Sequence, residues 1–245
     1  MKSFFLFLIS AVLVFSSCGI AYRTLLGIDT TPNWLLTEKD YKKAEKKIGV
    51  KGDFMFEMDT VAYHDTVRSL TNKLLQDYKQ LHPDDAAGLR LINNVTNTDL
   101  QPVQLRLFDK SGNEIFKIAN CYVDPLPIDW NYRNCFNSFP LKIKDKELNT
   151  HHFDIHLILN SLTEKVEFNT LPKTKYYAVI MWNRFMVRPS KKLIEQIEES
   201  FGLNHPDVTY LYINNHNASI WNLAEAEQRE YIRKQINKYK ESLKE

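Results

Sequence analysis

Residues 176–217 read YYAVIMWNRFMVRPSKKLIEQIEESFGLNHPDVTYLYINNHN. Tyr176 to Trp182 is apolar almost throughout, the pattern of a central strand covered on both faces. A helix should follow, with Pro189 near its first turn, Leu193, Ile194, Ile197 and Phe201 at helical spacing, and Gly202 at its end. Val208 to Ile213 then gives a second buried strand. Strand, helix, strand with so long a crossover is a βαβ unit, so the two strands should be parallel. The stretch predicts an α/β fold and sets the centre of its sheet.

The chain around it has 245 residues, enough for one substantial α/β domain with additions. Charged residues make up 25 % and the formal net charge is +2. Lysines and arginines are interspersed with acids, so composition calls neither for nucleic acid nor for an anionic membrane surface.

The N-terminus is a targeting segment. Lys2 supplies a positive start, and Phe4 to Phe15 is a run of twelve residues, apolar except for Ser10. That is too short to span a bilayer as a helix and has the layout of a secretory signal. Phe15-Ser16-Ser17-Cys18 resembles the lipobox of bacterial lipoproteins, with Phe15 standing where an aliphatic residue is usual. The resemblance implies cleavage after residue 17 and attachment of acyl chains such as palmitate to Cys18. Each buried CH₂ of such chains contributes about 0.8 kcal/mol to anchoring. No acidic cluster follows Cys18, which points to the periplasmic side of a bacterial envelope. The expected organisation is a signal peptide over 1–17, a lipidated tether with a short helix over 18–50, and one α/β domain over 51–245.

Within that span, Thr37 is placed to cap a lysine-rich helix running to about Lys47 and stopping at Gly49, read as a solvated surface helix. Phe54 to Met58 is a short strand. Val67, Leu70, Leu74, Tyr78 and Leu81 mark a helix that ends at His82-Pro83-Asp84. Leu89 to Ile92 reads as another short strand. Residues 103–123 form a β-hairpin around Lys110-Ser111-Gly112-Asn113. Asp124 to Pro140 should be an irregular loop pinned by Trp130, Tyr132, Phe136 and Phe139. Phe153 to Leu162 leans helical by length. Residues 222–244 predict a terminal helix, with Asn222 and Glu225 as a capping box and a stripe of Ile232, Ile236, Tyr239 and Leu243.

Trp182-Asn183-Arg184-Phe185-Met186-Val187-Arg188-Pro189 ends a strand and opens a helix, and its layout resembles the active-site turn of thioredoxin-like proteins. Trp182 and Phe185 match the family's two aromatics, and its C-x-x-C cysteines fall on Met186 and Pro189. The resemblance covers the βαβ unit of 176–217. It implies a thioredoxin-like mixed sheet with flanking helices, and a turn that has lost its redox chemistry, because a thioether cannot become a thiolate. The family's final hairpin is missing after Asn217, so residues 103–123 would have to complete the sheet.

Ligands of parallel sheets bind beyond the carboxyl ends of strands. Asn183, Arg184 and Arg188 on one side, and Asn214, His216 and Asn217 on the other, form a candidate ligand edge. Arginines near a helix start suit an anion, whereas asparagines equally cap turns. Cys121 and Cys135, with thirteen residues between them, are unlike a C-x-x-C pair and leave a structural bridge, buried thiols or a redox pair open. His151, His152 and His156 lack an H-E-x-x-H pattern and are read as solvated, so no metal is expected. No phosphate loop, G-x-S-x-G or cofactor motif occurs. The leading expectation is a lipid-anchored envelope protein that binds an envelope protein or small ligand without catalysis. The alternatives are an enzyme using Arg184, Arg188 and His216, or a thiol protein using Cys121 and Cys135. The expected partners are the membrane, through the lipid, and that ligand, with no nucleic acid and no cofactor.

Overall fold

The computed structural model describes residues 38–52, 54–120, 124–125, 128–131, 134–141, 153–215, 230–231 and 234. The lipobox, Cys121, Tyr132, His151, His152, His216, Asn217 and most of the terminal helix lie outside the described residues.

In chain order the elements are helix α1 (Glu38–Ile48), strand β1 (Met55–Glu57), helices α2 (Thr60–Leu81) and α3 (Ala86–Asp99), strands β2 (Gln104–Asp109) and β3 (Glu114–Ala119), the short strands β4 (Asp124–Pro125) and β5 (Ile128–Asp129), helix α4 (Ile155–Leu159), strand β6 (Tyr176–Trp182), helix α5 (Val187–Phe201) and strand β7 (Val208–Asn214). The protein is an α/β structure with a mixed five-stranded sheet, ordered β1-β7-β6-β2-β3, and flanking helices. β6 and β7 pair in parallel from Tyr176↔Val208 to Trp182↔Asn214, as the βαβ pattern requires. β1 adds to the far side of β7 in parallel, and the β2–β3 hairpin adds to β6 antiparallel.

Alternation along each strand divides the core. Ala178, Ile180 and Trp182 of β6 join Tyr210 and Tyr212 of β7 on the face covered by α1, α5 and the segment 130–141. Tyr177, Val179 and Met181 join Leu211 and Ile213 on the opposite face, under α2, α4 and residues 153–171. β6 is therefore buried on both sides, which is why it carries no polar residue. α5 supplies Leu193, Ile194 and Ile197 to the first core, and Gly202, at φ 75°, ends it by donating its N–H to Ile197 and Glu198. The hairpin turns at Gly112, φ 86°, where the Asp109 carboxylate accepts from the Ser111 and Asn113 amides at 2.8 and 3.0 Å.

Two expectations need correction. Leu89 to Ile92 is not a strand but lies in the first two turns of α3. Asp85 caps that helix by accepting from the Ala87 and Gly88 amides, and Ile92 and Val95 are buried along it. α1 is solvated only on its lysine side, because Ala44 and Ile48, with Val50 beyond its end, are buried in the core beside α5. Of the loop expected over 124–140, Asp124–Pro125 and Ile128–Asp129 pair as two short strands, and the described residues 130–131 and 134–141 are irregular and pinned by aromatics. Phe136 stacks on Phe201 at 6.1 Å, Phe139 meets Tyr176 edge-on at 5.2 Å, and the Trp130 indole donates to the Pro189 carbonyl at 3.0 Å. Among the described residues no helix is long and apolar enough to cross a membrane.

Candidate functional site

β6 and β7 end level with each other, so Asn183 and Asn214 share one edge of the sheet, as a parallel pair demands. Asn183 is fully buried and its groups hold the turn together. Its side-chain oxygen accepts from the Phe185 amide at 2.8 Å, and its side-chain amide donates to Asn215 at 3.4 Å. The Ser190 hydroxyl, on the first turn of α5, accepts from the Asn183 amide at 3.1 Å and donates to the Asn183 carbonyl at 3.3 Å. The Asn215 amide returns to the Trp182 carbonyl at 3.1 Å, and the Asn214 carbonyl accepts from Met58 at 2.9 Å, which ties in the end of β1. The Asn183 side chain and the Ser190 hydroxyl thus act as turn caps.

The cations form the outer rim. Arg184 is half-buried, with its guanidinium 4.9 Å from the Phe185 ring centroid, and its Nε is buried without an acceptor. Arg188 is exposed on the first turn of α5. Met186 is the N-cap of α5 and makes no side-chain capping bond. Met186 and Pro189 occupy the two positions where the resemblance places cysteines, and neither side chain can form a thiolate.

Cys135 is buried, with a free thiol 3.6 Å from the Trp130 carbonyl. Burial pushes that thiol up to about 11, which keeps it protonated and unreactive at neutral pH. His156 is exposed, 4.0 Å from Asp154 and edge-on to Phe168. Among the described residues no group of three or more His, Cys, Asp or Glu could hold a metal ion.

The largest concentration of charge lies where the sequence suggested nothing. Arg106 on β2 is completely buried. Its guanidinium donates to Asp99 at 2.6 Å, to Glu114 at 2.7 Å and to Gln104 at 3.0 Å. Lys117 on β3 donates to the same Asp99 oxygen at 2.9 Å, and the Glu114 carboxylate also accepts from the Phe153 amide at 3.1 Å. Gln104 and the Tyr63 hydroxyl both donate to the Asp99 carbonyl, at 2.9 and 2.5 Å. The Phe153 ring covers Arg106, 4.4 Å from its guanidinium carbon. Burial works against the charge on Arg106, but the carboxylates of Glu114 and Asp99 outweigh it and push the guanidinium well above its ordinary range. Two cations face two carboxylates, the bonds close on one another, and an aromatic lid excludes water. This is a clamp joining α2, α3, the hairpin and residue 153, with no open coordination left for a substrate. Its sequence signal was the spacing of Gln104, Arg106 and Lys117 on one face of the hairpin, which a solvated face would show equally.

Fold and edge together define an α/β protein with a mixed sheet, in which Asn183 and Ser190 cap the turn between β6 and α5. Comparison of the chain with protein-family models, with curated proteins and with solved structures finds no match.

Proposed function

We propose that the chain is a bacterial envelope lipoprotein, held by acyl chains on Cys18, whose thioredoxin-like domain binds or assembles with an envelope partner and carries out no redox chemistry. The observation that carries this reading is the turn from Trp182 to Ser190. Its nucleophile positions hold Met186 and Pro189, and the Asn183 and Ser190 side chains bond within the turn. The strand order supports the thioredoxin likeness. Two parallel strands, β7 and β6, lie beside an antiparallel hairpin, with that hairpin supplied from before the βαβ unit. The chain departs from the family at the loop before the hairpin, because Gln101–Pro102 is not a cis bond. The capping role of Asn183 and Asn215 favours binding over the alternative of an enzyme working through Arg184, Arg188 and His216.

The test takes protein extracted from membranes. Tandem mass spectrometry of its first peptide should find acylated Cys18 at the N-terminus, and an unmodified residue other than Cys18 there would sink the anchor. A photo-crosslinking residue at Arg188 should then capture a discrete partner in cells, which the same residue at Lys165 does not. Equal capture from both positions, or none from either, would count against the edge as the binding surface.

A further inference from the structure

The sequence intersperses its charges, but the fold sorts one group of them. Helix α1 holds five lysines against three acids, a surplus equal to the +2 of the whole chain. At about 100° per residue, Lys42, Lys43, Lys46 and Lys47 fall within an arc of roughly 140°. Ala44 and Ile48 point the opposite way and are buried, and all four lysines are exposed. α1 thus binds the body of the protein by one side and turns a lysine face outward. Of the acids of α5, which packs against it, Glu195 is paired with Lys191 and Lys192 within its own helix. Glu45 stands on the flank of the arc, half-buried.

We propose that the lysine face of α1 docks on the anionic headgroups of the bilayer that holds the lipid anchor, so that the domain lies against the membrane on this side. The inference rests on the anchor proposed at Cys18. Glu38 follows Cys18 by twenty residues. Even fully extended, a chain of that length reaches only about 70 Å, which confines α1 to the neighbourhood of the surface. A single-sign helix face held there faces a high local concentration of lipid phosphate. Acyl chain and basic patch are also the paired signals that make membrane attachment stable. The cations are all lysine, compact and strongly hydrated, which suits diffuse attraction to a headgroup layer better than the bidentate grip that arginine gives a single phosphate.

The experiment reconstitutes the full chain, purified from membranes, in vesicles of phosphatidylcholine alone or mixed with phosphatidylglycerol. A brief pulse of a water-soluble amine-acylating reagent is read by peptide mass spectrometry. In the anionic vesicles at low salt, labelling of Lys42, Lys43, Lys46 and Lys47 should fall about fivefold or more. It should recover in about 1 M salt, where the Debye length is about 3 Å. Exposed Lys110 and Lys165 should not change. The variant Lys43→Gln/Lys46→Gln/Lys47→Gln, all at exposed positions, should lose the protection of Lys42. Equal labelling in both kinds of vesicle, with the protein sedimenting in each, overturns the docking surface and leaves the anchor intact. A chain that stays in the supernatant of neutral vesicles, with no acyl mass on Cys18, fails the anchor instead. The lysine face is then judged by sedimentation with anionic vesicles alone: salt-reversible binding upholds it and none overturns it. Equal protection by a short RNA duplex at the same phosphate concentration would overturn the assignment to lipid.

Discussion

Arg106 shows at the scale of single residues what pattern reading misses. A strand that alternates apolar and polar normally turns its polar side to water, yet Gln104, Arg106 and Lys117 are buried, the last two beside the Phe153 ring. Nothing local announces this, because Asp99 lies seven residues from Arg106 and eighteen from Lys117, on another element. Such a cluster is costly to break, since removing one partner strands a charge in low dielectric. Arg106→Met should lower stability by about 3–5 kcal/mol, read as a shift of the urea midpoint, and a loss below about 1 kcal/mol would mean that water reaches the clamp. Cys135 gives a second prediction. Its folded thiol is pushed up to about 11 by burial, so folding favours the neutral form. That contribution is complete below the ordinary thiol range and fades as pH rises toward about 11. Alkylation of Cys135 at pH near 8 should therefore be slow in the native protein and fast in denaturant, which a timed mass-shift assay would measure. Cys135 itself was legible in the sequence as a residue, whereas its environment was not.

At the scale of elements, the pair α2 and α3 explains a misreading. Leu-Arg-Leu-Ile at 89–92 has apolar alternation, and four residues are too few to separate strand from helix. The deciding residue was Asp85. It caps α3 and also accepts from the Tyr78 hydroxyl at 2.5 Å, so the tip of the helical hairpin is locked although it is exposed. Gly88 leaves room there, because a Cβ would collide with the Tyr78 ring and hydroxyl. Gly88→Ala should swing Tyr78 away and break its bond to Asp85, which offsets the gain in helix propensity that alanine would otherwise bring. The hydrogen bond from Tyr78 holds the Asp85 carboxyl below the usual carboxylate range, with the Gly88 amide adding to it. The lock is then present above the ordinary carboxylate pKa and lost as pH falls through the lowered one. Hydrogen exchange at Ala87 and Gly88 should accelerate in acid, and Tyr78→Phe should shift that acceleration to higher pH. The turn before α5 was legible in its frame, since Trp182, Phe185 and Pro189 stand where the pattern placed them. Its bonds were not, because Ser190 gave no sign that it would serve Asn183. Ser190→Ala should cost about 1–2 kcal/mol in thermal or chemical denaturation, and Asn183→Ala should not add to it in full, as the two share one network.

At the scale of the whole molecule, the βαβ reading placed the sheet centre correctly and the hairpin was found from its turn, whereas the packed side of α1 was not foreseen. Lysines dominate α1, so its two buried residues were outweighed in the sequence, and only the packing of Ala44, Ile48 and Val50 beside α5 brings it into the body of the protein. A chain starting at residue 51 should therefore be less stable than one starting at residue 38. Ile48→Ala alone should cost about 2–5 kcal/mol, the range for emptying a buried aliphatic site, and an unchanged denaturation midpoint would return α1 to the status of a tether.

The strand order has a consequence for the making of the protein. β1 is the first strand to be synthesised and pairs only with β7, the last, while the hairpin waits for β6. Until residues beyond Asn214 have left the ribosome, the growing chain holds two separate fragments of a sheet and no seam between them. Pairings this distant in sequence form late. A chain whose sheet closes late must keep its unpaired strand edges apart while it is being made.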